Sequence, residues 1–416
     1  MNPQKRLFML SLDAVSSDDI SLISKFPNFS KLLAMGTIVN NVSSVFVSNT
    51  YPCHTSIITG MLPKCHGIND NLYLSPERKI QKWRCDSRKI KEQTLYEKAH
   101  QAGLKTCSIL YPVTGKAKID WNFPEIAEKM CTLKKLFYML RFGSKGFIIS
   151  TLFRFGKQFK GTSQPALDDF STAVAADAII RHKPDLMMLH LIDTDEQKHL
   201  HGPGSEQAAS SLERHDKRIG ILLDAMEKSG TLSETGIIIF SDHGCLPVHT
   251  TVNPNAFLEK CGFISKKSGV LQSYDAFFHL TGGTAFLKLF NEKKKNELLT
   301  FSKTLLNESC ISRLVAKTEM KSSGMGDDYL FGIQAADGFS FGEDDYKGQH
   351  GYCLDREGYF PFYLAVGNNI ESGGNLTGGC ITDICPLAAD MLGLKKWNTD
   401  GKNRLSQKNN SDNERN

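Results

Sequence analysis

The 416-residue chain contains no run of eighteen apolar residues, so no segment reads as a transmembrane helix. It contains no C-x-x-C spacing, and its eleven cysteines are odd in number and scattered. That usage argues against a disulfide framework and predicts reduced thiols in a cytoplasmic setting. It carries no strong charge of either sign. The net charge of +5 is too mild to point to nucleic acid, and no nucleic-acid partner is expected. Lys5-Arg6 precede an apolar stretch, but no small-residue cleavage site separates that stretch from Asp13. It therefore reads as a first core strand and not as a signal peptide. No internal repeat is present, so the length is not assembled from copies of one unit. With 40% hydrophobic and 23% charged residues, what remains is an ordinary globular composition with room for a large core.

What the chain does have is three apolar runs that each end in metal-ligating residue types. Leu7 to Leu12 runs into Asp13. Leu186 to Ile192 runs into Asp193-Thr194-Asp195, with His199 four residues after Asp195. Ile237 to Ser241 runs into Asp242-His243-Gly244. Short runs of this kind predict buried parallel strands. In open α/β sheets, ligands bind beyond the carboxyl ends of the strands. One Asp after a strand is ordinarily a cap or turn residue. Three of them, two accompanied by His, converge on one edge of one sheet.

Around these runs strand and helix signals alternate, which predicts an α/β fold with a doubly wound, mostly parallel sheet and helices on both faces. Pro27 opens a helix that closes at Gly36, and Pro52 stands at a helix start that Gly60 would cap. Further helices are expected over 94–102, 168–181, 213–228 and 382–392, and strands over 105–110 and 360–366. Residues 262–340 change to short strands with one charged helix at 291–307, the pattern of a smaller inserted α+β cap. The main body is expected over 1–397, with the polar residues 398–416 as a disordered tail. A helical excursion occupies about 120–165. Within it, 130–161 has no acidic residue, and Phe137, Phe142, Phe147 and Phe153 interleave with Lys134, Lys135, Arg141, Lys145 and Arg154. Two readings stand open: helices packed over the sheet with bases in water, or a lid that draws an anionic substrate or makes peripheral contact with an acidic membrane surface.

The chemistry begins with spacing. Asp195 and His199 at i, i+4 face the same way on a helical turn, and Asp242 and His243 share a loop that can aim both inward. Oxygen and imidazole ligands together suit Zn²⁺, with Mn²⁺ and Fe²⁺ as alternatives. Two such ions with open positions stabilise both the attacking and the leaving oxygen of an in-line phosphoryl displacement. Thr50, just before Pro52, is a candidate nucleophile whose hydroxyl a metal would acidify. By spacing alone it reads more readily as a helix N-cap, as threonines at helix starts mostly are.

The order of motifs resembles the type I phosphodiesterase/nucleotide pyrophosphatase family of the alkaline phosphatase superfamily, over about residues 6–400. The carriers are Asp13 after the first strand, Thr50-Tyr51-Pro52-Cys53-His54, the stretch Thr59-Gly60 through Pro63 to His66-Gly67-Ile68, and Asp195 through His199 to Gly202-Pro203. Ser241-Asp242-His243-Gly244, His350-Gly351-Tyr352 and the Thr382–Pro386 helix start with Leu392-Gly393 complete the series. The resemblance implies an alkaline-phosphatase-like fold and two divalent metal ions, Zn²⁺ first and Mn²⁺ as the alternative. One site would be Asp13, Asp242 and His243, with Thr50 bridging, and the other Asp195, His199 and His350. It also implies Thr50 as nucleophile and a small phosphate-ester or nucleotide substrate. Where many members place an Asn that binds the phosphoryl oxygen, this chain has Cys53, a weak donor.

The expected function is a metal-dependent hydrolase of phosphodiester or phosphoanhydride bonds acting through a phosphothreonine. Cys53, Lys116 and His201 are the candidate substrate-binding residues. His54 and His66 are expected to hold loops, and Asp193 to orient a ligand. The rivals are a phosphomonoesterase, phosphonate hydrolase or phosphomutase on the same fold, and, in another class, a non-catalytic metal-stabilised binding protein. A sulfatase is disfavoured, because Cys53-His54-Thr55-Ser56-Ile57 lacks the x-Pro-x-Arg that would follow the modified residue.

Overall fold

The apolar runs form strands buried on both sides. In the computed structural model, which describes residues 4–78, 81–128, 130–326 and 328–406, the first six strands are β1 (Arg6–Leu12), β2 (Thr37–Asn40), β3 (Thr106–Ile109), β4 (Trp121–Phe123), β5 (Leu186–Leu191) and β6 (Thr235–Phe240). The next nine are β7 (Leu246–Val252), β8 (Ile264–Lys267), β9 (Val270–Tyr274), β10 (Ala276–Leu280), β11 (Thr284–Leu289), β12 (Ile311–Val315), β13 (Phe331–Ala335), β14 (Gly338–Phe341) and β15 (Gly348–Gln349). The last two are β16 (Tyr363–Val366) and β17 (Gly374–Thr377).

Eight strands make one sheet in the order β17-β2-β16-β6-β1-β5-β3-β4. β1 sits between β5 and β6, parallel to both, with Leu12 beside Leu191 and Ser11 beside Phe240. β16 alone is reversed, antiparallel to β2 and β6. Because β-strand side chains alternate between faces, the central strands feed two cores. Phe8, Leu10, Leu189 and Ile239 join one, with Phe29, Phe170, Val174 and Ile219 from helices Pro27–Met35, Ala166–His182 and Glu206–Lys228. Leu7, Met9, Met188 and Ile238 join the other, with Ile57, Ile58, Tyr96 and Leu387 from helices Thr50–Thr59, Leu95–Gln101 and Ile384–Met391. Burial on both faces is why the strands read as unbroken apolar runs.

The 206–228 helix starts earlier than its apolar periodicity indicates. Ser205 caps it, accepting from the Ala208 N–H, and the turns before Leu212 carry no apolar residue larger than alanine. β10, β11, β13 and β12 form an antiparallel cap sheet over a third core that includes Leu258, Phe278, Leu287, Leu298 and Ile333. β7 pairs with β14 and with β15, and so ties the cap back to the sheet edge next to His350.

Residues 398–406 of the expected tail pack onto the body. The Asp400 and Gly401 N–H groups donate to the Gly60 carbonyl, at 2.8 and 3.1 Å, and the Asp400 carboxylate accepts from the Leu62 N–H at 2.9 Å. Their polarity serves these bonds, so composition alone misreads them. Residues 407–416 lie outside the described residues. Among the described residues no helix is long and apolar enough to cross a membrane.

Candidate active site

β1, β5 and β6 end side by side, and the residues just past them gather at one place. Asp13 follows β1, and Asp242 and His243 follow β6. Asp195 and His199 stand on one face of helix Asp193–His201, directly after β5. The backbone N–H groups of Ile192 and Asp193 at that helix start donate to the buried Asp168 carboxylate at 2.9 to 3.1 Å. His350 arrives from the far side, after β15. Two triads result, Asp13/Asp242/His243 and Asp195/His199/His350, each with one ligand atom per residue within 4.8 Å of the others. They adjoin: the His243 and His350 rings stack with centroids 4.1 Å apart.

The second partners of the histidines fix their tautomers. His199 Nδ1–H donates to the Gly348 carbonyl at 2.8 Å, and His243 Nδ1–H to the Gly244 carbonyl at 3.1 Å. His350 Nδ1 lies 2.8 Å from Asn49 Oδ1, and Asn49 Nδ2 donates to Asp70 at 2.6 Å. A carboxylate can only accept, so the Asn49 oxygen must face His350, and His350 Nδ1 must carry the proton. All three imidazoles thus turn a bare Nε2 lone pair inward, the arrangement that outer partners impose on metal-ligating histidines. Asp70 lies in turn 2.8 Å from His279 Nε2, and His279 Nδ1 is 2.6 Å from the Tyr329 hydroxyl. A buried polar chain therefore connects the cap to His350.

The electrostatics are those of a site short of positive charge. Burial, then the charges of Asp242 and Asp195, push the Asp13 carboxyl well above the usual carboxylate range. Burial acts upward on Asp195 too, but the neighbouring His199 and His350 outweigh it and hold that carboxyl well below its ordinary value. Burial and then His243 drive His350 far down. Four enclosed ligand atoms, Asp13 Oδ1, Asp195 Oδ1, Asp242 Oδ2 and His243 Nε2, have no hydrogen-bond partner in the protein. Enclosed polar atoms without partners are costly and rare in native proteins. Divalent cations would satisfy all four, and the mixed carboxylate–imidazole donor set fits Zn²⁺ or Mn²⁺.

Thr50 is the first residue of helix Thr50–Thr59, and the N-cap position belongs to Asn49, whose backbone is extended. The chain before Thr50 is bonded to the second triad, and the chain after it packs beside the first. Asn49 holds His350, while His54 donates from Nδ1 to the Thr50 carbonyl at 2.8 Å and stands 3.5 Å from Asp242 Oδ2. His54 Nε2 therefore accepts from the Ser11 hydroxyl at 2.7 Å. Burial, then His190, hold this ring down to about 3, so it packs neutral beneath the site. His66 bonds Ser56 at 2.9 Å and is likewise a loop holder. Asp193 faces away from the triads and pairs with Arg214 and Arg218, anchoring the helix that carries Asp195.

Three sequence candidates are not brought here. Cys53 is one helical turn past Thr50 but fully buried in the core, its sulfur 3.2 Å from Ser44 Oγ. Lys116 lies over the Phe142 ring, 5.2 Å from its centroid, and does not line the cavity beside the triads. His201, two residues beyond His199 on the same helix, points to solvent. Asn71, by contrast, was not singled out by the sequence. Its Oδ1 accepts from the Tyr51 N–H at 2.7 Å, beside Thr50, which leaves its amide nitrogen for a ligand. Only the polar run Asn69-Asp70-Asn71 after the Gly67-Ile68 motif hints at it. Asn71 lines a cavity of about 560 Å³ between sheet edge and cap, with Asn49, His199, His350, Tyr73, Trp83 and Tyr346.

Residues 7–311 match the family model described as "Type I phosphodiesterase / nucleotide pyrophosphatase". The chain belongs to this family. His350, the last member of the second triad, lies beyond the matched residues. Among similar proteins, ectonucleotide pyrophosphatase/phosphodiesterase family member 1 of Homo sapiens is 26% identical over 226 residues, which are 52% of this chain and 21% of that protein. Family member 5 of Homo sapiens is 23% identical over 248 residues, 58% of this chain and 45% of that protein. The chain thus spans less than half the length of these relatives. A solved structure of murine family member 5, an inactive threonine-to-alanine form in complex with AMP, superposes with a TM-score of 0.71 at 17% identity, covering 96% of this chain and 98% of that one. The fold is therefore alkaline-phosphatase-like, an α/β sheet with helices on both faces.

Proposed function

We propose that this chain hydrolyses phosphodiester or phosphoanhydride bonds of small nucleotide-like substrates, with Thr50 as nucleophile and two divalent cations in the two triads. The observation that carries this reading is the set of four enclosed, partnerless ligand atoms, divided between the two triads. Zn²⁺, or Mn²⁺ in its place, would supply Lewis acidity that acidifies a hydroxyl and offsets phosphoryl charge. Asp13, Asp242 and His243 would hold one ion and Asp195, His199 and His350 the other.

The protein's own groups perform the rest. Thr50 Oγ1 loses its proton to solvent and attacks phosphorus. The bond to the leaving oxygen breaks, and a phosphothreonine remains. Water then cleaves that ester and restores the hydroxyl. The Asn71 amide donates to a non-bridging oxygen as charge develops there, a contribution typically of about 2.7–4 kcal/mol. Tyr73, Trp83 and Tyr346 line the mouth and offer ring faces for a base to stack on. The AMP held by the similar murine protein supports a nucleotide substrate.

A panel of p-nitrophenyl phosphate, its thymidine monophosphate ester and bis-p-nitrophenyl phosphate, each with added Zn²⁺ or Mn²⁺, tests the reading. The diesters should turn over fastest, and chelation should abolish turnover. Full hydrolysis by protein shown by elemental analysis to be metal-free would end it. A cytoplasmic setting is proposed with it, because all eleven cysteines are free. The similar proteins named "ecto" set the opposite expectation, and disulfides in the isolated native protein would overturn the proposal.

A further inference from the structure

Helices Thr132–Phe142 and Lys145–Phe155 form a hairpin at the edge of the sheet. Its turn is pressed against β4: a Cβ on Gly143 would meet Pro124 Cδ at 2.5 Å and the Asn122 carbonyl oxygen at 2.6 Å. A solvated helix buries its apolar stripe and turns polar residues outward. This hairpin also buries apolar residues, Phe147 and Ile148 among them, yet its outward stripes are apolar as well. Leu133 and Phe137 stand four residues apart on the first helix, 80% and 60% exposed, and Ile149 and Phe153 on the second, 59% and 92% exposed. Basic residues border them: Lys134, Arg141, Lys145 and Lys157 are all exposed. No acidic residue lies anywhere in 130–161.

Beneath the hairpin lies a cavity of about 330 Å³. Leu136, Met139 and Leu152 line it from the hairpin, and Phe123, Phe170 and Ile192 from the body. Its polar lining is confined to Glu125, whose Oε2 has no hydrogen-bond partner in the protein, Lys135 and Thr162, against twelve apolar residues. An apolar outward stripe with a basic border is the composition that seats helices in an anionic membrane interface. The chamber directly under it is apolar enough to take a lipid acyl chain from such a surface.

We propose that the 132–155 hairpin docks on an anionic lipid surface and that the cavity beneath it receives one acyl chain from that surface. The inference is independent of the hydrolase reading.

The test uses the full chain with phosphatidylcholine vesicles, with and without phosphatidylserine. The protein should sediment with the phosphatidylserine vesicles. Binding should weaken as salt shortens the screening length from about 10 Å at 0.1 M to about 3 Å at 1 M. Phe137→Ser with Phe153→Ser should reduce binding at least tenfold with the melting temperature unchanged, since both rings are exposed. Native mass spectrometry with lysophosphatidylserine should show one lipid per chain, lost when Leu136→Trp or Met139→Trp fills the cavity. Failure to sediment, or equal sedimentation of the serine variant, overturns the docking. Docking without a bound chain overturns the cavity assignment. Self-association that the serine variant abolishes, without vesicle binding, assigns the face to a second copy and overturns the proposal.

Discussion

Asn49→Ala separates the present account of the site from a purely local one. The side chain takes a 2.8 Å bond from His350 and gives a 2.6 Å bond to Asp70, both buried. Removing it leaves the His350 Nδ1–H without an acceptor and one Asp70 oxygen short of a donor. Each such group costs about 1–3 kcal/mol, and Asp70 keeps its contact with His279, so the expected loss is about 2–5 kcal/mol. Freed from its outer partner, His350 should also hold metal about 10–100-fold more weakly. Urea unfolding of the metal-loaded protein reads the first quantity, and zinc competition against a chromogenic chelator the second. Asn49→Ser is the decisive control. Serine is as good an N-cap as asparagine, but it is too short to bridge His350 and Asp70, and Asn49 makes no capping bond to begin with. Serine should therefore rescue neither property. If it restores both, Asn49 is only a cap and the chain from the cap to His350 carries no weight.

Three further expectations follow from the same geometry. Asp193→Asn should cost about 1–3 kcal/mol in urea unfolding, because it weakens the Arg214 pair and one contact of the buried Arg218, which keeps Asp169 at 2.8 Å. Gly351→Ala should lower both melting temperature and zinc affinity, because this residue next to His350 has φ +78° and a Cβ there would meet the Thr281 oxygen at 1.8 Å. Burial acts upward on Asp70, but His279 and the hydrogen bonds outweigh it and lower the carboxyl. Its stabilisation is thus complete above the ordinary carboxylate value near about 4 and is lost as pH falls below that. Stability measured against pH should show this acid limb, and Asp70→Asn should flatten it.

The central sheet is legible in the sequence because its strands are buried on both faces and therefore unbroken in their apolar runs. Five of the six triad residues are legible for the same reason: each lies within a short step of the end of such a run, or one helical turn beyond it. His350 is not, since β15 before it is only two residues long and has no pattern of its own; the motif resemblance alone points to it. Cys53 shows where a motif position misleads. The resemblance sets it where many members carry a phosphoryl-binding Asn, but the helix is buried all round and turns Cys53 into the core. Asn71 escapes notice because it reaches Thr50 through space, bonded to the Tyr51 N–H across a loop. Residues 398–406 are misread because composition does not reveal which polar groups find backbone partners.

The central claim is that Thr50 does the chemistry between two metal-holding triads. The most direct measurement is turnover of thymidine 5′-monophosphate p-nitrophenyl ester by Thr50→Ala at saturating zinc, with metal content determined on the same sample. The six triad residues remain in that variant, so it should bind two zinc ions per chain and lose nearly all turnover. Thr50→Ser, which keeps the hydroxyl, should retain a measurable rate. Undiminished turnover by Thr50→Ala with both metals bound would contradict the account.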